Sequence, residues 1–256
     1  MRFNYIQASL LALLAITFTQ NVRADSLSDL QQALVKLDGS HPISGDLNVS
    51  FEESRGEGKD KKLKTGAIKS TLSESNAGLD IRYSKDVLVR IAQENKLKLA
   101  DENADTPALN GAEILSASSL IPILSSAQKI LDAIAKGKLR GETEIEYLGQ
   151  QVRVLDFELP LESFIDDKKT RGYVDKFKGS YKVLINAQGV PVETRLSYSG
   201  KGSAYIFFSM TAESEITSQF HVQGSRLVRI NRSVQSSSSS TFNDRTYNGN
   251  WALTLH

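Results

Sequence analysis

Apolar and polar residues alternate strictly in the first part of the chain, and this alternation predicts a β-strand. Between residues 43 and 51 every second position is apolar or glycine, so Leu47, Val49 and Phe51 share one face. The charged stretch 52–64 that follows is typical of the solvated tip of a hairpin.

The chain returns from that tip in a second alternating segment. Residues 65–73 predict a strand with Ile68 and Leu72 on one face, and residues 79–83 predict a third strand after a short turn. Three consecutive strands joined by short connections predict an antiparallel meander.

Apolar residues at helical spacing predict three helices. Leucines 27, 30, 34 and 37 share one face of the first helix, and Ser84 is placed to cap the second. The third and most apolar helix, residues 119–136, carries Leu120, Leu124 and Ile130 and must pack against another element. The polar segment 96–111 between the second and third helices predicts a loop.

From residue 142 onward the pattern returns to a period of two and predicts about six to eight further antiparallel strands, with a tight turn at 200–202. Two segments stay open in this interpretation. Residues 160–176 show no clear period. Residues 235–247 include a run of serines, which is typical of a flexible linker but also fits a sheet edge or a long hairpin tip.

Segregation of strands from helices predicts an α+β fold, with a large antiparallel sheet and two or three helices packed on one of its faces. The whole of residues 25–256 is predicted to form a single domain. Within it, a helix and a three-strand meander occupy residues 26–83, a helical insert residues 84–137, and antiparallel strands residues 142–256.

The first 24 residues have the pattern of a secretory signal. Arg2 precedes an apolar run at residues 8–18, and Val22-Arg23-Ala24 predicts cleavage after Ala24. The run is too short to span a bilayer as a helix, and no later segment is long and apolar enough either. The chain has no cysteine, so disulfides and a thiol-linked lipid anchor are excluded, and export without disulfides favours a bacterial periplasm.

Charge excludes one class of function. The chain has 31 basic and 30 acidic residues, and loss of Arg2 and Arg23 on cleavage leaves 29 against 30. A nearly neutral surface gives no general attraction for nucleic acid, so nucleic acid is not an expected partner.

No catalytic or metal-binding pattern is convincing. The three histidines lack a second ligand at metal spacing, and we expect neither a metal nor a cofactor. Ser126 and Lys129 have the Ser-x-x-Lys spacing of penicillin-recognising enzymes, but the matching Lys64-Thr65-Gly66 precedes the serine instead of following it. The leading interpretation is a non-enzymatic protein in which this helix face is solvated. A Ser-Lys acyl hydrolase is a minor alternative.

Basic residues cluster in two places. The first hairpin tip carries Arg55, Lys59, Lys61 and Lys62, which suit an acidic envelope partner or lipid head groups but also suit a charged tip that discourages aggregation. In a later strand, Arg229 alternates with Val228 and Ile230, and the alternation predicts that Arg229 faces solvent.

The segment Gly45-Asp46-Leu47-Asn48-Val49-Ser50-Phe51-Glu52-Glu53, after an amphipathic helix and before a charged hairpin, resembles the start of the periplasmic lipoprotein carrier (LolA-like) and sigma-factor-regulator (RseB-like) fold. Residues 181–191 are similar to a strand-turn-strand found later in such sheets. The resemblance implies a strongly curved, open-barrel-like sheet around helices, with an apolar cavity for acyl chains.

The residues are consistent with such a cavity, although complete packing would make the same residues an ordinary core. An exported binding protein for a hydrophobic or lipidic ligand is the leading hypothesis, and an envelope interaction module is the alternative. The candidate ligand-binding residues lie on the first two strands and on the apolar helix: Leu47, Val49, Phe51, Ile68, Leu72, Leu120, Leu124 and Ile130.

Overall fold

The computed structural model describes residues 22–58, 61–204 and 208–256. The predicted signal segment therefore lies outside the described residues except for its last three positions, and Lys59 of the hairpin tip lies outside them too.

The described part of the chain folds into ten strands and six helices. The strands are β1 Ile43–Arg55, β2 Lys62–Ser75, β3 Gly78–Arg82, β4 Lys138–Tyr147, β5 Gln150–Glu158, β6 Val174–Ile185, β7 Pro191–Ala204, β8 Phe208–Gln223, β9 Arg226–Ser240 and β10 Asn243–Leu255. The helices are α1 Val22–Lys36, α2 Lys85–Ala100, α3 Pro107–Glu113, α4 Ala117–Leu124, α5 Ala127–Lys136 and α6 Lys168–Arg171, together with a 3₁₀ turn at Leu161–Ser163.

All ten strands form one antiparallel sheet in the order β3-β2-β1-β10-β9-β8-β7-β6-β5-β4. The N-terminal meander therefore joins the C-terminal one through β1 and β10, where Val49 is opposite Trp251. The α+β class with a large antiparallel sheet is confirmed. The sheet is neither closed nor strongly curled, so the strongly curved, open-barrel-like form that we expected is not confirmed.

Two apolar clusters bury the helices against the sheet. In the first, α1 and α5 pack on β5 and β6, with Leu34, Phe157 and Val183 buried among its members. In the second, α4 packs on β1, β2 and β10, where Leu120 and Leu72 are fully buried. Burial of apolar surface contributes about 25 cal/mol per Å² to stability. The two clusters therefore hold α4 and α5 against the sheet beside the site described below.

The apolar helix predicted over 119–136 is interrupted. Instead of continuing the helix, the Ser126 amide donates a hydrogen bond to the Leu227 carbonyl in β9, at 2.9 Å. The Ser126 hydroxyl donates to the Pro122 carbonyl at 2.7 Å, which satisfies part of the broken turn. Helices α4 and α5 are therefore separate, and the junction between them is fastened to the sheet.

The segment predicted as a loop, 96–111, is largely helical. The predicted cap is present, since the Ser84 hydroxyl accepts a hydrogen bond from the Val87 amide at 3.3 Å, but α2 continues to Ala100. Helix α3 then begins without a side-chain cap from Thr106. Its Leu109 amide instead donates to the buried carboxylate of Glu94 in α2, at 2.8 Å.

Replacing Glu94 with alanine should destabilise the fold by about 1–2 kcal/mol, since the amide at the start of α3 loses its partner and the helix dipole loses a neighbouring anion. Glutamine should retain part of the stability because its carbonyl can still accept. Urea unfolding measures both, and Gln93→Ala, an exposed position on the same helix, is the control. Equal effects at residues 93 and 94 would contradict the capping role.

The serine run lies in a central strand of the sheet, not in an edge strand. Ser236–Ser240 lie in β9 and pair with β8 on one side and β10 on the other, so the run is not a linker. These strands are 13 to 16 residues long and extend beyond the two helix-covered clusters, so this part of the sheet needs no apolar face. The prediction of a tight turn at 200–202 is also wrong, because β7 continues through these residues to Ala204.

Candidate functional site

Most of the predicted ligand-binding residues are brought together in one closely packed cluster. Leu47, Val49, Ile68, Leu72, Leu120 and Leu124 are all buried in the cluster beneath α4. Phe51 is buried but belongs to none of the apolar clusters, and it stacks on Tyr247, with ring centroids 5.8 Å apart. Ile130 belongs to the other cluster, and it lines an open space at the junction of α4 and α5.

That open space is a cavity of about 330 Å³ between the α4–α5 junction and strands β6 to β10. It lies on the helix-covered face of the sheet, next to the second apolar cluster, with which it shares Trp251. Its volume is at the lower end of the range for small-molecule sites. The apolar part of its wall consists of Pro122, Ile130, Leu196, Ile216, Phe220 and Trp251.

The break between α4 and α5 shapes one side of this cavity. Ser126, at the break, is buried and lines the cavity, while Ser118 at the start of α4 is exposed at its rim. A continuous helix would have no junction here at which the Ser126 amide could bond to β9. A backbone hydrogen bond between distant parts of the chain therefore lies at the break that forms this side of the cavity.

Two arginines of β9, Arg229 and Arg232, also line the cavity, so the expectation that Arg229 faces solvent is wrong. The register of β8 with β9 shifts here: Gln219 is opposite Asn231 and Phe220 is opposite Arg229, which leaves Ile230 unpaired. An extra residue in one strand reverses the alternation of faces beyond it. The bulge thereby allows two arginines three positions apart to line the same space.

The cavity is electrostatically unbalanced. Lys129 is the third cation that lines the cavity. Within the described ranges, no carboxylate oxygen lies within 4.0 Å of a side-chain nitrogen of Arg229, Arg232 or Lys129. The Arg229 Nε atom is buried and has no hydrogen-bond partner. Asp132 is the acidic group that acts on Lys129, and its effect is smaller than those of burial and the arginines.

Proton affinities reflect this imbalance. Burial, followed by the charge of Arg232, lowers the pKa of Arg229 to about 10. Burial also lowers the pKa of Arg232, and burial together with the two arginines lowers the pKa of Lys129. A pKa of about 10 still leaves the Arg229 guanidinium charged at neutral pH, so the cavity holds uncompensated positive charge under physiological conditions.

Ser126 and Lys129 both line this cavity, as the acyl-hydrolase alternative requires. Their geometry is not that of an activated pair, since the Ser126 hydroxyl donates to the Pro122 carbonyl and makes no hydrogen bond with Lys129. Among the described residues, no cluster of three or more His, Asp or Glu side chains could hold a metal ion.

Two larger grooves, of about 660 and 610 Å³, run along the serine-rich ends of the strands. Most of the residues that line them are polar or charged in type and include Lys178, Ser199, Glu213 and Ser237. The charged residues that line these grooves include both signs, whereas the charged residues that line the smaller cavity are all cations. We therefore take the smaller cavity as the candidate ligand site.

The basic hairpin is only partly available for a partner. Arg55 forms an ion pair with the buried carboxylate of Glu53, which Arg245 of β10 also contacts at 2.7 Å. Lys61 and Lys62 are exposed and form no ion pair with any described residue. Arg55 therefore stabilises the sheet, and the lysines are the residues free to contact a partner.

The ion pairs of Glu53 with Arg55 and Arg245 should make the stability of the fold depend on pH in the acidic range. Burial alone would raise the pKa of Glu53, but the hydrogen bond from Arg55 and the charges of Arg245 and Arg55 outweigh it, so its pKa lies below the ordinary value of 4.5. The folded state therefore binds this proton more weakly than the unfolded state. The stability it contributes is present above pH 4.5 and is lost as the pH falls through the lowered value.

We accordingly expect Glu53→Gln to lower the urea midpoint at pH 7 and to make its decline below pH 4.5 shallower than in the parent protein. The exposed neighbour Glu52→Gln serves as the control and should keep the parental slope. Parallel acid profiles for Glu53→Gln and the parent would contradict this assignment.

No helix in the described part of the chain is long and apolar enough to cross a membrane. Comparison with known proteins finds no matching family model, and no curated protein or solved structure matches the chain significantly.

Proposed function

We propose that this chain is an exported, periplasmic binding protein that holds a hydrophobic or lipidic ligand between its sheet and its helices. The observation that carries the proposal is the cavity at the α4–α5 junction, with apolar side chains contributed by both the helices and the sheet. The signal pattern of residues 1–24 supports export. The resemblance of residues 45–53 to LolA-like and RseB-like proteins supports an acyl-chain ligand.

Binding would draw its energy from transfer of methylene groups out of water. Each buried methylene contributes about 0.8 kcal/mol, so micromolar affinity, about 8 kcal/mol, requires about ten buried methylenes before association costs are counted. The neighbouring cluster around Leu120 and Leu72 is already closed, and it supports the wall without offering space. A volume of about 330 Å³ suits part of a single chain rather than a whole lipid.

The direct test is mass spectrometry of organic extracts from protein purified gently out of its native periplasm. We expect a stoichiometric apolar molecule in the extract of the parent protein. An extract without one, together with no uptake of an added acyl compound, would contradict the proposal.

Filling the cavity should abolish retention of the ligand. Ser218, a buried residue of β8, lines the cavity, and phenylalanine at this position would occupy much of its volume. We expect Ser218→Phe to lose the extracted molecule while unfolding at a urea concentration close to that of the parent. Ser209→Phe makes the same change at an exposed position of β8 and should retain the ligand. Equal retention by both variants would place the ligand elsewhere.

A second candidate function, a Ser-Lys acyl hydrolase, is favoured by one observation: Ser126 and Lys129 line the same cavity, and burial lowers the pKa of the lysine. A lowered pKa favours the neutral amine that a general base requires. Covalent labelling of Ser126 by a serine-reactive or β-lactam probe, abolished in Lys129→Met, would support it. Absence of labelling at high probe concentration would exclude it.

A further inference from the structure

The cavity contains positive charge that the chain itself does not neutralise. Arg229 and Arg232 are both partly buried, and the Nε of Arg229 is withdrawn from water without a partner. Leaving buried charge unpaired is costly to a folded protein, and such groups are normally paired or bound to an ion. A purely hydrocarbon ligand would increase this cost, because it would exclude water from the guanidinium groups.

An arginine partnered within the chain gives the contrast. Arg226, also on β9, is buried and forms an ion pair with Glu74 through an Nη atom, although its Nε atom, like that of Arg229, has no hydrogen-bond partner. The same strand therefore carries one arginine with a carboxylate partner and two without one, and the two without line the cavity. The bulge at Ile230 is what brings them to the same space.

We infer that the ligand is an anionic amphiphile, whose carboxylate or phosphate group is bound by Arg229 and Arg232 while its tail lies against the apolar wall. This inference rests on the proposed function and adds the chemical class of the ligand. Planar guanidinium groups bind carboxylate and phosphate oxygens through paired hydrogen bonds, which suits either head group. Lys129, at the more exposed side, adds a third cation, and Ser118 and Ser218 add hydroxyl donors.

The geometry also orients the ligand. Arg232 is opposite Ser218 in β8 and Trp251 in β10, so one end of the cavity is cationic where it adjoins the indole ring. Ile216 and Leu196 are neighbours in the next two strands and form an apolar floor. The head group would therefore lie over β9 and the tail would extend toward β7.

The experiment compares three probes on the full chain after removal of bound ligand: dodecanoate, which has a tail and a charge; dodecanol, which has the tail alone; and inorganic phosphate, which has the charge alone. Isothermal titration calorimetry gives each Kd. We expect dodecanoate to bind most tightly, dodecanol about tenfold to a hundredfold more weakly, and phosphate weakest.

Arg229→Gln should weaken dodecanoate by about tenfold to a hundredfold and leave dodecanol binding unchanged. Arg90→Gln, on the exposed face of α2, is the matched control and should leave both unchanged. Retained dodecanol binding by Arg229→Gln shows that the variant is folded and its cavity intact. Since an unpaired cation is removed, we also expect the ligand-free variant to melt no lower than the parent.

The outcomes separate the two proposals. Equal affinities for dodecanoate and dodecanol, unaffected by Arg229→Gln, would overturn the anionic head group and leave the apolar ligand standing. Binding of neither would overturn the proposed function as well. Phosphate binding as tight as dodecanoate binding would assign the arginines to a free anion and overturn the amphiphile. Distinguishing a free fatty acid from a phosphate-bearing lipid then follows from a fourth probe, a single-chain lysophosphatidic acid.

Discussion

Replacing Leu124 with aspartate is expected to unfold a large fraction of the protein rather than merely to empty its ligand site. Leu124 is 2% exposed and is buried among the apolar side chains of the closed cluster beneath α4. Removing its methyl groups alone costs about 2–5 kcal/mol, and burying a carboxyl group adds several more. The sum is comparable to the total stability of about 5–15 kcal/mol that a typical domain has.

Two variants isolate the cause of that effect. Ile121, one turn earlier on the same helix, is 59% exposed, so Ile121→Asp should change the free energy of unfolding by less than about 0.5 kcal/mol. Leu124→Met keeps the volume and should cost less than about 1.5 kcal/mol. Urea unfolding followed by circular dichroism measures all three. A folded Leu124→Asp protein with a near-parental midpoint would mean that this part of the sheet is hollow and open to water.

That experiment bears directly on what the sequence could predict about the site. Leu47, Val49 and Leu124 would show the same apolar periodicity whether they form a closely packed core or line a cavity. Periodicity identifies which face of an element is buried, but not how closely the facing element packs against it. The structure closes the space around these residues and opens it further along the same sheet face, near Ile130. The amount of space left between two elements depends on how far apart their backbones lie.

The sequence could not predict that Arg229 and Arg232 line the cavity, for a different reason. Strict alternation places Arg229 on the solvent side, and only the bulge at Ile230 changes this. Nothing in the local sequence marks a bulge at this position. The bulge arises because β9 has one residue more than β8 between two paired positions, which depends on how the two strands pair. An arginine within a strand is therefore an ambiguous signal until the register with its neighbour is known.

Local patterns served well where the chain's own neighbours decide the structure. The alternation of residues predicts that strand β1 begins at residue 43, as it does, and Ser84 caps α2 as its side chain predicts. The failures lie where a distant partner decides: the Ser126 amide bonds to Leu227 and splits a helix that its own sequence would continue. The serine run pairs as a central strand because β8 and β10 satisfy its backbone on both sides.

Replacing Arg226 with methionine should be the second most damaging of these changes. Arg226 is 6% exposed and forms an ion pair with Glu74, whose side chain is 23% exposed. Without the guanidinium, a partly buried carboxylate is left uncompensated. Breaking a buried pair in this way costs about 3–5 kcal/mol, and we expect the lower end because Glu74 keeps some contact with water.

The double variant Arg226→Met/Glu74→Gln should recover most of that loss, since it leaves no buried charge and similar volume. Arg82→Met is the matched control, because Arg82 pairs with Asp80 at 2.7 Å but both side chains are largely exposed. It should cost no more than about 1 kcal/mol. If the double variant were as unstable as Arg226→Met, the arginine would act through packing of its aliphatic stem rather than through charge. That result would also weaken the contrast with Arg229, since an arginine of β9 could then be retained for packing without any anionic partner.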